Sequence, residues 1–204
     1  DRLGVGHDFI ITVGTIQPRK NQETLYKAYV TLYKRGVRNL PKLVFIGKEG
    51  WKFQDFLKVL QADERMKDLI QIISPTDDEL DVLYRYCRFT LLPSFYEGWS
   101  LTLPESLSYG KFCLTSNADP LRETGRDLVE YIDPLDTFAW ANRIAYYVDN
   151  PDEVLKWESR IRNEWKPRSW KQSTKMLLEI LYKAHARKVL IEDCVLVDKQ
   201  TILK

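Results

Sequence analysis

Short apolar, β-branched runs alternate with helix-length amphipathic stretches along most of this 204-residue chain, and that rhythm narrows its fold more than any other feature. Phe9-Ile-Ile-Thr-Val-Gly14 is the first run, closed by a glycine, and Lys42-Leu-Val-Phe-Ile-Gly47 repeats it. Leu69–Ile73, Phe89–Pro93, Phe112–Ser116 and the weaker Val129–Ile132 extend the series to about six strands. Strands spaced by crossover-length sequence pair in parallel, with right-handed connections and helices on both faces. The expected fold is therefore α/β, a Rossmann-like doubly wound parallel sheet whose ligands gather at the strands' C-terminal ends.

Between the strands, Asn21 is expected to cap a helix carrying Leu25, Ala28, Tyr29 and Leu32 on one face and ending at Gly36. A second helix is expected from about Trp51 to Glu64, and Thr76-Asp77-Asp78-Glu79 is a capping box opening a short helix through Tyr86. Past Asp136 the pattern is helical: Thr137–Asp149, then Asn150-Pro151 opening a helix to about Trp165, a break at Pro167, and Ser169–Lys188. Leu177, Leu178, Leu181 and Tyr182 on that last helix are expected to be core, with an interface stripe as the alternative. The pattern predicts one domain over 1–188 and a tail or linker to a further module over 189–204. A first residue of Asp1 rather than Met reads as a piece of a longer protein.

Charge and composition remove several function classes. Thirty-one Lys+Arg against 29 Asp+Glu leave +2, so no bulk field favours nucleic acid. The apolar runs fall far short of the ~20 residues that span a bilayer. Cys87, Cys113 and Cys194 are too scattered for a disulfide framework or a C-x-x-C site and read as buried or half-buried thiols of a reducing cytoplasm. His7 and His185 lie near opposite ends, which leaves no zinc motif and argues against a Ser-His-Asp triad. Gly4-Val5-Gly6 precedes the first strand without a third glycine, and no P-loop pattern occurs, so neither a dinucleotide site nor a P-loop NTPase is supported.

Two segments carry candidate chemistry. The first strand runs into Gly14-Thr-Ile-Gln-Pro-Arg-Lys-Asn21, placing Arg19 and Lys20 just before a helix N-terminus, where backbone amides favour an anion. Arg19 can fork two phosphate oxygens and Lys20 supplies a mobile charge, while Gly14 lets a ligand approach the backbone. The alternative is a pair of solvated loop cations. After the fourth strand, Glu97 and Glu105 lie eight residues apart, one in a loop and one in the first turn of the next helix. Paired carboxylates suit the vicinal hydroxyls of a sugar, and the amides of Gly98, Trp99, Ser100 and Leu101 complement the cations at a phosphate. Thr102-x-x-Glu105 could instead be a capping box, and Glu97 a hydrated loop carboxylate.

These segments, in their order and spacing, resemble the C-terminal, nucleotide-sugar-binding half of a GT-B glycosyltransferase of family 4. The resemblance covers about Phe9 to Ile180 through VGTIQPRKN (13–21), LVFIGKEGW (43–51), SPTDDELDVLYRYC (74–87), LLPSFYEGWSLTLPESLSYG (91–110), TSNADPLRET (115–124) and YIDPLD (131–136). It implies that Arg19 and Lys20 bind the donor diphosphate, with Gly14, Thr15 and Lys48 in the same donor site, and that Glu97 lies at the donor sugar with a catalytic role. It also implies that Glu105 holds the ribose, that Gly98, Trp99, Ser100 and Leu101 line the phosphates and sugar, and that Pro75 meets the nucleobase. Implied too are retaining hexosyl transfer without a metal or other cofactor, and an acceptor glycan or lipid-linked sugar. The remaining implications are an N-terminal acceptor-binding domain in the same polypeptide and a cytoplasmic setting with peripheral membrane association. The sequence departs from the family pattern at Ser100, where Gly is usual, at Thr102, where Pro is usual, and at Thr15, where many relatives carry Arg. Ser100 and Thr102 keep a second reading open, a non-catalytic binding or scaffolding module; a nucleotide-sugar epimerase fits the paired glutamates less well.

Overall fold

A computed structural model describes the backbone of residues 2–201 and the side chains through residue 185. All six expected strands form: β1 Phe9–Val13, β2 Lys42–Ile46, β3 Ile70–Ile73, β4 Thr90–Leu92, β5 Cys113–Ser116 and β6 Glu130–Ile132. They make one parallel sheet in the order β3-β2-β1-β4-β5-β6. The chain winds outward from β1 through β2 to β3, then crosses back to lay β4 on the other side of β1, with Ile11 opposite Thr90. The winding order therefore reverses between β1 and β4, the topological switch point where ligands of doubly wound sheets gather.

Why the strands are apolar throughout is visible in the core. Ile10, Leu43 and Phe45 enter a large cluster with Leu25, Tyr29 and Trp140, whereas Phe9, Ile11, Val44 and Ile46 enter a second with Leu83 and Tyr84. Successive side chains point to opposite faces, and each face is covered, so neither can be polar.

The helices are α1 Gln22–Lys34, α2 Phe53–Ala62, α3 Asp77–Tyr86, α4 Thr102–Ser108, α5 Asp119–Gly125, α6 Thr137–Asp149, α7 Pro151–Glu164 and α8 Trp170–Thr201. The α3 capping box forms as expected: Thr76 Oγ1 accepts from the Glu79 amide at 3.4 Å, and the Thr76 amide donates to Glu79 Oε2 at 2.8 Å. The Thr102-x-x-Glu105 box does not. Thr102 is already inside α4, Leu101 precedes it without a side-chain cap, and the Thr102 hydroxyl pairs with Ser100 Oγ at 3.0 Å. Asn21 is likewise no side-chain cap; it stands at φ 56° in the left-handed region and its amide group is used elsewhere.

The described chain forms two compact units, meeting in sequence at Trp165 and Lys166, so the expected boundary at 188 falls inside the second. There α8 runs to Thr201, so the segment 189–201 expected as tail or linker is helical. Leu177, Leu178, Leu181 and Tyr182 are exposed and not core. Cys87 and Cys113 are buried thiols, as expected, while the Cys194 side chain lies outside the described residues.

Candidate functional site at the sheet switch point

Backbone geometry at the end of β1 sets the first half of the site. The Gly14 amide donates to the Ile46 carbonyl at 2.8 Å, and a Cβ on Gly47 would sit 2.1 Å from the Gly14 oxygen, so these two strand ends meet with no room for a side chain. Gly14 itself is at φ 142°, a conformation costly for other residues. The space a Cβ would take there is filled by Lys20, whose Cε lies 3.3 Å from that position. Gly14 thus makes room for the Lys20 side chain.

A 3-10 turn, Pro18–Lys20, then delivers both cations toward the β4 loop. Lys20 Nζ donates to Glu97 Oε1 at 2.6 Å, and Arg19 Nη1 donates to Glu97 Oε2 at 2.9 Å and to the Tyr96 carbonyl at 2.7 Å. Ser94, buried at the start of the same loop, adds its hydroxyl to Glu97 Oε1 at 2.6 Å. Glu97 is only 3 % exposed. Burial raises its pKa, but the bonds from Lys20, Ser94 and Arg19 outweigh that and hold the carboxyl below the usual glutamate value. A buried carboxylate this well paired remains charged. It is fixed in place and carries the opposite sign to its two neighbours.

Asn21 straps this loop to two others. Its Nδ2 donates to the Pro93 carbonyl at 3.0 Å, at the end of β4, and to the Pro134 carbonyl at 2.9 Å, after β6. The Phe95 amide donates to the Arg19 carbonyl at 3.0 Å, and Ser116 Oγ donates to the Ser94 carbonyl at 2.5 Å. The two halves of the site are therefore tied by main-chain contacts as well as by charge.

The remaining expected residues are placed less uniformly. Glu105 is exposed on α4 and makes no direct contact with the Arg19–Lys20–Glu97 group; its Oε2 accepts from the Tyr84 hydroxyl of α3 at 3.1 Å. Ser100 is buried at φ 63°, while Gly98, Trp99 and Leu101 are exposed, and the amides of 98–101 find no acceptor among the described residues. Thr15 is exposed and its carbonyl accepts from Gln22 at 3.2 Å. Lys48 is exposed with its carbonyl bonded to the Ile16 amide at 3.0 Å. Pro75 follows β3 beside Ser74, whose hydroxyl donates to the Gly47 carbonyl at 3.0 Å. Three residues of consequence escape sequence reasoning: Ser94, Asn21 in its strapping role, and Tyr84. Only Ser94 leaves a local signal, a hydroxyl three positions before the glutamate it serves.

Among the described residues no group of three or more His, Cys, Asp or Glu side chains could hold a metal ion, and no helix is long and apolar enough to cross a membrane. The cations here form an anion site whose present occupant is a carboxylate.

Comparison with known proteins places this geometry. The chain is 30 % identical over 131 residues to the O-antigen chain mannosyltransferase B of Escherichia coli, a match covering 64 % of this chain and 34 % of that protein. The chain thus spans about a third of that relative's length. Its fold superposes on sucrose-phosphate synthase from Thermosynechococcus elongatus with a TM-score of 0.72 at 20 % identity, covering 91 % of this chain and 47 % of the other. It superposes on Anabaena Alr3699/HepE, solved in complex with UDP-glucose, with a TM-score of 0.65 at 17 % identity, covering 79 % and 45 %. The model of the family described as glycosyl transferases group 1 matches residues 3–164, nearly the whole of the first compact unit, and the chain belongs to that family.

Proposed function

We propose that this chain is the donor-binding half of a retaining glycosyltransferase that moves a hexose from a nucleoside-diphosphate sugar to an acceptor hydroxyl in cell-surface polysaccharide or lipopolysaccharide synthesis. The observation that carries this reading is the convergence of Arg19 and Lys20, from the β1 loop, on Glu97, from the β4 loop. The family membership, the mannosyltransferase relative and the UDP-glucose complex of HepE support it.

As the glycosidic bond of the donor stretches, negative charge builds on the diphosphate and positive charge on the sugar ring. Arg19 and Lys20 stabilise the first, which is the work a divalent cation would otherwise do, and the unpaired amides of 98–101 add neutral donors. Glu97 orients the sugar and opposes the second charge. Glu105 accepts from the ribose hydroxyls, and Thr15, Lys48 and Pro75 stand around the nucleotide. An N-terminal half of the same polypeptide supplies the acceptor site, so this chain alone binds nucleotide weakly and transfers little. The reaction belongs at the cytoplasmic face of the membrane, where a lipid-linked acceptor is presented.

Ser100, the main reason to consider a non-catalytic module, adopts the left-handed conformation that glycine takes most easily, and its hydroxyl is spent on Thr102. The loop keeps a glycine-like turn, which favours the catalytic reading. In the complete enzyme, assayed with a panel of nucleoside-diphosphate hexoses, Lys20→Ala and Glu97→Gln should each lower transfer by ~10²–10³. Near-normal turnover by both would contradict the reading.

A further inference from the structure

We infer that Tyr84 is a positioning residue for the donor ribose, acting through Glu105. The inference rests on the donor-site reading above and adds a residue that the paired-glutamate signature does not contain.

Glu105 sits on the exposed face of a two-turn helix, where a free glutamate would sample several rotamers. Tyr84 is the side chain that selects one of them. It projects from the neighbouring α3, is 2 % exposed, and donates its hydroxyl to Glu105 Oε2 at 3.1 Å, leaving Oε1 to accept from a ligand. The phenol cannot move to suit another partner, because its ring lies flat on Tyr109 at the end of α4, with centroids 4.8 Å apart and planes 7° from parallel. The Tyr109 hydroxyl is tied in turn to Asp81 of α3 at 2.9 Å, and Asp81 is held by Arg85 at 2.7 Å. A stacked tyrosine pair with one hydroxyl anchored on α3 and the other aimed at α4 thus clamps the two helices that frame the ribose.

The chemistry of the donor suits that task. Burial, reinforced by the charge of Glu105, pushes the Tyr84 phenol far above its ordinary pKa, so it stays a donor throughout the working pH range. A carboxylate preset in one rotamer loses less conformational freedom when two vicinal hydroxyls bind to it.

Tyr84→Phe keeps the ring and its stack and deletes only the hydroxyl. We expect this variant of the full chain, titrated calorimetrically with a ribonucleoside diphosphate, to bind about five- to tenfold more weakly, the scale of one charge-assisted hydrogen bond partly lost. With the matching 2′,3′-dideoxynucleoside diphosphate, wild type and Tyr84→Phe should bind alike. In the complete enzyme the loss should fall on KM, with kcat within about twofold. Equal weakening toward both nucleotides would overturn the inference by showing a general structural effect, as would no weakening toward either. If wild type prefers the ribonucleotide yet Tyr84→Phe changes nothing, the inference fails and the donor site stands. Absence of any nucleotide binding by the wild type removes both.

Discussion

Glu97 accepts from three donors at once, and both of its oxygens engage the cations that a diphosphate would need. On the proposed function, donor binding at this site would exchange one anion for another. Glu97→Gln removes the competing charge but keeps the shape, so we predict that a nucleoside diphosphate without sugar binds the variant at least as tightly as wild type, although transfer collapses. Calorimetry beside a turnover assay checks this; affinity falling in step with turnover would show that Glu97 is needed to build the anion site. Because the Glu97 pKa is lowered on folding, its stabilising contribution is complete above the ordinary glutamate range and is lost as pH falls through the folded value. Ser100 offers a second test at this scale. Its left-handed φ of 63° strains a residue with a Cβ, so Ser100→Gly should raise the unfolding free energy by up to about 1 kcal/mol, read from the denaturant midpoint at unchanged slope.

At the level of elements, the strands were legible because burial on both faces of a parallel sheet forces continuous apolar runs, and the α3 cap was legible because all its partners lie within four residues. Asn21 was not. A local rule assigns Asn before a helix to capping, but here its amide reaches carbonyls 72 and 113 residues away, and nothing nearby in sequence announces them. The same distance hid the Glu97 ion pairs, which span 77 and 78 residues and exist only after β4 docks on β1. Replacing Asn21 by Ala takes the donor from the buried Pro93 carbonyl, while Pro134 keeps the Thr24 hydroxyl at 3.3 Å, and should cost about 1–3 kcal/mol in chemical denaturation. Asp63 gives an element-scale pH test. Its bonds from Arg65, and from Tyr26 of α1, hold it near a pKa of about 2 against the opposing effect of burial. A depressed carboxylate stabilises above its unfolded value and loses that contribution as pH drops toward the folded one. Stability should fall between about pH 4 and about pH 2, and Asp63→Asn should flatten that fall.

For the molecule as a whole, topology explains why a signature split between two distant loops makes one site. The winding order reverses between β1 and β4, so the loop after β1 and the loop after β4 meet at the switch point, where Arg19 and Lys20 from one bond Glu97 from the other directly. The chain spans about a third of the length of the Escherichia coli O-antigen chain mannosyltransferase B it resembles, and the acceptor half is part of the proposal. The central claim is that those two loops hold a pyrophosphate. Titrating the chain and its Lys20→Ala variant with a nucleoside diphosphate, and with the corresponding nucleoside, tests it most directly. The diphosphate should bind wild type more tightly than the nucleoside does, with most of that advantage lost in Lys20→Ala; equal affinities for the two ligands, or an advantage untouched by the substitution, would contradict it.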